Sequence, residues 1–285
     1  MLANLNDVLK IAQKRDIAIG SFNTPTLENM TAVLDTAEKY GVPVILMHAQ
    51  LHEEVVPMKR IGPVMLELAR RAAIPVCVHL DHCEELDYLY RALELGFTSV
   101  MFDGSLLPYE ENVEKTRTAV EKAKLYGANV EAEIGILGGR EAGSSKSEMK
   151  AEDLYTDPYL AQQFVKETGI DALAASFGTA HGFYKQKPVL DFERIQKISN
   201  LVRIPLVMHG GSGVSPEDYR KAIARGIRKV NYYSYMAKAG AEGAKEYLKD
   251  REVSFYHEIA NAATEAMRVD VDQAVRVFSK WEDPV

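Results

Sequence analysis

The sequence predicts a single (β/α)₈ barrel with an extra C-terminal helix, occupying residues 1–285 as one α/β domain. Three observations predict it. Short β-branched runs alternate with longer stretches of helical period eight times along the chain. Most of those runs are apolar at consecutive positions, as strands buried on both faces of a parallel sheet are. Their starts recur roughly every 25 to 40 residues, the beat that a barrel of about 250 residues requires. A doubly wound open sheet has a similar strand count and stays as the structural alternative, because periodicity does not report closure.

Taken in order, the N-terminal stretch MLANLNDVLKIAQKRDIAIG alternates apolar and charged residues at helical spacing. It lacks the uninterrupted apolar run of a signal peptide or a membrane span, which points to a cytoplasmic protein. The strand candidates are DIAIGSF (16–22), VPVILMH (42–48), IPVCVHL (74–80), FTSVMFD (97–103), ANVEAEI (128–134), GIDALAAS (169–176), RIPLVMH (203–209) and IRKVNYY (227–233). Gly41, Gly96, Gly127 and Gly169, and the Ile-Pro pairs at 74–75 and 204–205, stand just before strands, where a helix C-cap and a strand start belong. One segment breaks the beat: residues 135–155, GILGGREAGSSKSEMKAEDLY, are long, Gly/Ser-rich and charged, and read as a surface loop of the kind that forms lids or binding loops. From Ala237 to Trp281 two helical stretches follow the last strand. The second exceeds one βα unit and is expected to cover the barrel or to join a homodimer or homotetramer.

Composition argues against a nucleic-acid partner. With 34 Lys+Arg against 41 Asp+Glu the formal charge is −7, and no basic tract exists to follow a nucleic-acid backbone. Cys77 and Cys83 are the two cysteines, and a reducing compartment keeps such thiols free.

In parallel barrels the chemistry sits at the C-terminal ends of the strands. Of seven histidines, His82 follows the third strand candidate, His181 lies just beyond the sixth and His209 ends the seventh. Side chains far apart in sequence converge at such a rim, and three neutral imidazoles with an open fourth position describe a catalytic zinc site. A lone strand-end histidine is ordinarily a hydrogen-bonded structural residue; three at one rim change that reading. His79 is assigned packing or support of a ligand, and His52 and His257 read as surface or helix residues. Asp81 precedes His82. Glu131 and Glu133 share one face of the fifth strand, where they form either a salt-bridge layer or, for Glu133 nearer the rim, a functional carboxylate. Glu141, taken alone, is a solvated loop charge. The Gly210-Gly211-Ser212-Gly213 turn follows the seventh strand and Asn231 and Ser234 follow the eighth, the positions at which barrels bind phosphate.

With HLDH, EIGILGGREAG, SFGTAHGFY, MHGGSG and KVN in this order, the chain resembles the class II fructose-bisphosphate and tagatose-bisphosphate aldolases nearly end to end. The resemblance implies reversible, zinc-dependent aldol cleavage of a ketose 1-phosphate or 1,6-bisphosphate to dihydroxyacetone phosphate and an aldehyde. It implies that His82, His181 and His209 hold Zn²⁺, with Glu133 as an alternative or supporting ligand. Asp81 then handles the proton of the aldehyde oxygen and Glu141 that of the ketone's α-carbon. Asn23, Gly182, Gly210, Gly211, Ser212 and Asn231 match contacts to substrate and phosphate, Ser234 replaces a hydroxyl residue there, and Na⁺ sits beside the phosphate in some relatives. The sequence departs from the family at Tyr232-Tyr233-Ser234-Tyr235, at His48-Ala49-Gln50-Leu51-His52 and at Arg140. These changes point to an altered aldehyde side and a non-standard aldehyde. A metal-dependent sugar-phosphate isomerase or epimerase, and a non-catalytic sugar-phosphate binding protein, are the competing readings.

Overall fold

The computed structural model describes residues 1–135, 155–184, 186–249, 251–252 and 255–281. The chain opens with β1 (Leu2–Ala3) and α1 (Leu5–Arg15) and then alternates β2 (Ile19–Asn23), α2 (Leu27–Tyr40), β3 (Val44–Ala49), a 3₁₀ turn (Gln50–Glu54), α3 (Met58–Arg71), β4 (Val76–Cys83), α4 (Leu86–Leu95), β5 (Ser99–Phe102), α5 (Tyr109–Lys124) and β6 (Asn129–Ile134). It continues with α6 (Pro158–Thr168), β7 (Ala172–Ala175), α7 (Phe192–Val202), β8 (Leu206–Met208), α8 (Pro216–Ile223), β9 (Ile227–Tyr232), α9 (Ser234–Leu248) and α10 (Tyr256–Phe278). Strands β2 to β9 pair in parallel with their sequence neighbours, and β2 pairs with β9, so the sheet closes into an eight-stranded barrel and the open-sheet alternative falls. Each strand starts within three residues of the start of its apolar run. The residues lost belong to the turn that follows each helix, such as the left-handed caps at Asp16, Gly169 and Arg203.

Side chains alternate between two environments along each strand. Val44, Leu46, Val76, Val78, Leu80, Val130, Leu173, Leu206 and Val230 face the helices and form the outer core. Ile45, Met47, Cys77, Ala172, Ala174 and Val207 face inward and meet Leu5, Val8, Leu9 and Ala12 of α1. The N-terminal helix therefore stoppers the lower mouth of the barrel. Its start is fixed by Asn4, which accepts the Asp7 N–H while Asp7 accepts the Asn4 N–H. Strand β1, pairing Leu2 with Val76 and Ala3 with Cys77, was not anticipated, since two residues are too few to show a period.

The upper half of the interior is polar. Lys229, Glu131, His79, Ser99, Asp81 and His209 are fully buried there. The expectation of strands apolar on both faces is thus corrected for this half, because charges that neutralise one another can occupy a core. Both cysteines are buried and free. Helix α10 packs along α9 and α2 on the outside of the barrel and delivers Phe278 beneath β2, where the Ala18 N–H donates to its carbonyl at 3.0 Å. No described helix is long and apolar enough to cross a membrane.

Candidate active site

The site begins with an irregularity in β4. Regular alternation turns Asp81 inward and would turn His82 outward, toward the layer that holds Leu80. Instead the β4–β5 register slips between Leu80 and Cys83, and His82 adopts φ 42, so two successive side chains serve the interior. A left-handed non-glycine residue in a strand bulge is a costly local conformation, kept where side-chain direction matters.

His82 Nδ1 lies 2.7 Å from Asp103 Oδ2, and the other Asp103 oxygen accepts the Ser105 hydroxyl at 2.6 Å and the Ser105 N–H at 3.1 Å. With Nδ1 donating to a carboxylate, Nε2 is left as the lone-pair nitrogen. His209 is arranged in the opposite sense: its Nε2 lies 2.8 Å from Glu131 Oε1, which leaves Nδ1. Glu131 is balanced by Lys229, whose Nζ is 2.8 Å from Oε2, and His79, bonded to Ser99 at 2.8 Å, borders the same oxygen at 3.8 Å. The freed nitrogens meet. His82 Nε2 is 3.2 Å from His181 Nε2 and 2.7 Å from His209 Nδ1. His181 and His209 are brought together by the close approach of two loops. Gly210, at φ +61, lies so near Ala180 that an added Cβ would stand 2.4 Å from its carbonyl oxygen.

These donors fit a tetrahedral cation. Imidazole nitrogens bound at about 2.0–2.1 Å lie roughly 3.3 Å apart, which His82 and His181 already match and His209 reaches with a small rotation. A second group, His82, Asp103 and Glu133, also has ligand atoms close enough for a metal, and Glu133 Oε2 is 3.9 Å from His209 Nδ1. The electrostatics agree. Burial acts against a charge on His82, yet Asp81, Asp103 and Glu133 outweigh it and hold its pKa well above the ordinary value, so a positive charge is favoured at this point. Burial, and then the negative charge of Asp103, push Glu133 well above the usual carboxylate range. Burial and the charge of His82 hold His209 well below its usual value.

Asp81 is buried beside this cluster. Asn23 donates its amide to Oδ2 at 3.1 Å and Asn231 donates to Oδ1 at 3.0 Å. Burial raises its pKa, but His82, His209, Lys229 and the Asn23 amide overcome that and set it at about 2. Asp81 is therefore a carboxylate at neutral pH. The amide oxygens of Asn23 and Asn231 are buried and have no hydrogen-bond partner among the described residues, which suits acceptance of substrate hydroxyls.

Gly210, Gly211 and Ser212 form the loop after β8. An added Cβ at Gly211 would stand 2.7 Å from the Asn231 carbonyl oxygen, so the loop lies flat on β9. The Ser212 hydroxyl accepts the Tyr233 N–H at 3.0 Å, and Ser234 begins α9, whose first turn has no side-chain cap. Uncapped N–H groups beside a glycine loop make an anion site. Gly182 follows His181 on the same rim at φ +89. Glu141 and Arg140 lie outside the described residues.

One reading changes. His52, expected at the surface, is 4% exposed, and its ring lies 5.1 Å from that of Tyr233. His257 is exposed. Asp103, which ends the FTSVMFD run at the same rim, is a site residue the sequence reading missed, and Lys229 is buried although a strand lysine ordinarily faces solvent.

The (β/α)₈ barrel thus gathers three imidazoles at its C-terminal rim beside a buried carboxylate, a donor set that could hold a metal ion. Residues 3–282 match the model of the fructose-bisphosphate aldolase class-II family, and the chain belongs to that family of lyases. A sulfofructosephosphate aldolase of Alkalicoccus urumqiensis is 38% identical over 273 residues, covering 95% of this chain and 94% of that protein. The crystal structure of the YdjI aldolase of Escherichia coli K12 superposes with a TM-score of 0.87 at 30% identity, covering 98% of this chain and 97% of that one. A fructose-bisphosphate aldolase structure from Campylobacter jejuni shares the fold, with a TM-score of 0.80 at 22% identity, covering 97% of this chain and 95% of that one.

Proposed function

We propose that the chain is a zinc-dependent aldolase that cleaves a sulfonated fructose 1-phosphate between C3 and C4, giving dihydroxyacetone phosphate and a sulfonated three-carbon aldehyde. The observation that carries the reaction type is the convergence of His82, His181 and His209 on one point beside an ionised Asp81 held by two amides. Bound there, Zn²⁺ supplies Lewis acidity for the negative charge that develops on the ketone half. Asp81 takes the C4 hydroxyl proton as the C3–C4 bond breaks and returns it in condensation. Its low pKa suits the first role, and the Asn23 and Asn231 amides keep both of its oxygens aimed. Asn231 also stands 3.4 Å from both nitrogens of His209, so it ties the carboxylate to the metal site. Glu141 is assigned the proton of the ketone's α-carbon by family resemblance. The Gly210–Ser212 loop and the start of α9 take the C1 phosphate.

Two things support the sulfonated substrate. The sequence departs from the common family pattern on the aldehyde side, at residues 48–52 and at Tyr233, and the Alkalicoccus relative is named for a sulfofructose phosphate. The test is a retro-aldol assay that detects dihydroxyacetone phosphate from zinc-loaded protein, with a chelated control. Release that disappears with chelation is expected. Release from no ketose phosphate would remove the aldolase assignment, and equal turnover of fructose 1,6-bisphosphate would remove the sulfonated substrate.

A further inference from the structure

The C1-phosphate loops lie after β8 and β9, and Asp81, on β4, marks where the C–C bond breaks. The part of the substrate beyond that bond is placed toward the ends of β2 and β3, since Asn23 at the end of β2 donates to Asp81 and Ala49 at the end of β3 lies in register with it. The 3₁₀ turn after β3 stands over this quadrant. Its His52 reaches across the end of β2 to Tyr233, which follows β9, with ring centroids 5.1 Å apart. His52 is also near enough to Asp81 to feel its charge.

The turn is fixed in place. Glu53 Oε2 accepts the Met58 N–H at 2.7 Å and the Tyr88 hydroxyl at 2.6 Å, and Tyr88 is in turn 2.9 Å from His48 Nε2. Gln50 accepts the Glu84 N–H at 2.9 Å and donates to Glu85 at 3.0 Å. On this rigid support His52 Nδ1 is buried and has no hydrogen-bond partner among the described residues. An unsatisfied buried polar atom is costly and calls for a ligand or a role.

We propose that His52, backed by Tyr233, binds the terminal sulfonate of the substrate's aldehyde half by donating a ring N–H to one of its oxygens. The proposal rests on the function argued above. Burial, opposed by Asp81, keeps His52 below its ordinary pKa, so at neutral pH it offers hydrogen bonding without a charge. A singly charged sulfonate loses less hydration in such a setting than a dianionic phosphate does.

The test compares the unmodified protein, His52→Ala and His52→Gln, all zinc-loaded, on three ketoses: sulfonated fructose 1-phosphate, fructose 1,6-bisphosphate and fructose 1-phosphate. Exchange of the α-proton of dihydroxyacetone phosphate, which involves the ketone half alone, is followed alongside. His52→Ala is expected to lower kcat/KM for the sulfonated ketose by about ten- to a hundred-fold, the loss for a hydrogen bond to a charged group. Fructose 1-phosphate should lose much less, α-proton exchange should persist, and His52→Gln, which keeps an N–H, should recover part of the preference. Parallel loss on all three ketoses, an unchanged preference, or a preference of the unmodified protein for the bisphosphate overturns the assignment of His52. If the unmodified protein cleaves none of them and exchanges no α-proton, the aldolase reading itself falls and takes the assignment with it.

Discussion

Asp103 shows what a single side chain can settle. By accepting from Nδ1 of His82 it selects the tautomer that leaves Nε2 for a metal. Asp103→Ala is expected to weaken zinc binding by about 10- to 100-fold, the usual effect of losing such a carboxylate. Competition with a chromogenic chelator measures this, and an unchanged affinity would show that His82 holds its orientation unaided. His48 makes a prediction about pH. Burial, then the nearby His52, lower its pKa from 6.5 to about 4. Between those values the unfolded chain binds more protons than the folded one, so stability rises with pH across the window. The contribution is complete above 6.5 and is lost as pH falls toward about 4, up to ~3 kcal/mol. Urea midpoints at several pH values should show the slope, and His48→Gln should flatten it. The three rim histidines were legible because strand ends are legible. His52 was not, since burial of a turn residue depends on Tyr233, which is 181 positions further along.

Elements were read more surely than their facing. Consecutive apolar residues located each strand, but a run of that kind carries no mark of which residues turn inward. The shared face of Glu131 and Glu133 could be read from a spacing of two, whereas the use Glu131 makes of Lys229 required knowing that β6 and β9, with β7 and β8 between them, both turn these side chains into the barrel. The bulge that turns His82 inward leaves no trace in the motif HLDH. Loop contact is equally hidden: the glycine at 210 signals a turn, and only the fold shows that it lies against Ala180. Gly210→Ala combines a left-handed backbone with a backbone clash, and a loss of more than about 1 kcal/mol is expected. Because that loop joins His181 to His209, zinc affinity should fall with the melting temperature. A variant that loses stability and keeps full affinity would separate the two.

At the scale of the whole molecule, barrel and C-terminal helix were both foreseeable from the count of βα units, and the α10 segment stood out because it exceeded that count. What it covers was not foreseeable. Phe278, 1% exposed, packs its ring edgewise to Tyr219 and Tyr232, at 4.9 and 6.1 Å, and so joins α8, β9 and the underside of β2. Phe278→Ala is expected to cost about 3–5 kcal/mol, measured by urea unfolding. A cost below 1 kcal/mol would mean that α10 adds little to the barrel's stability.

The helix that stoppers the lower mouth also shapes traffic. With α1 filling one end and a neutralised layer of charge above it, the barrel is a cup and not a tube. Reactant and both products share one doorway, the rim at which the histidines meet. On the proposed reaction, both products must clear that rim before another substrate molecule can enter.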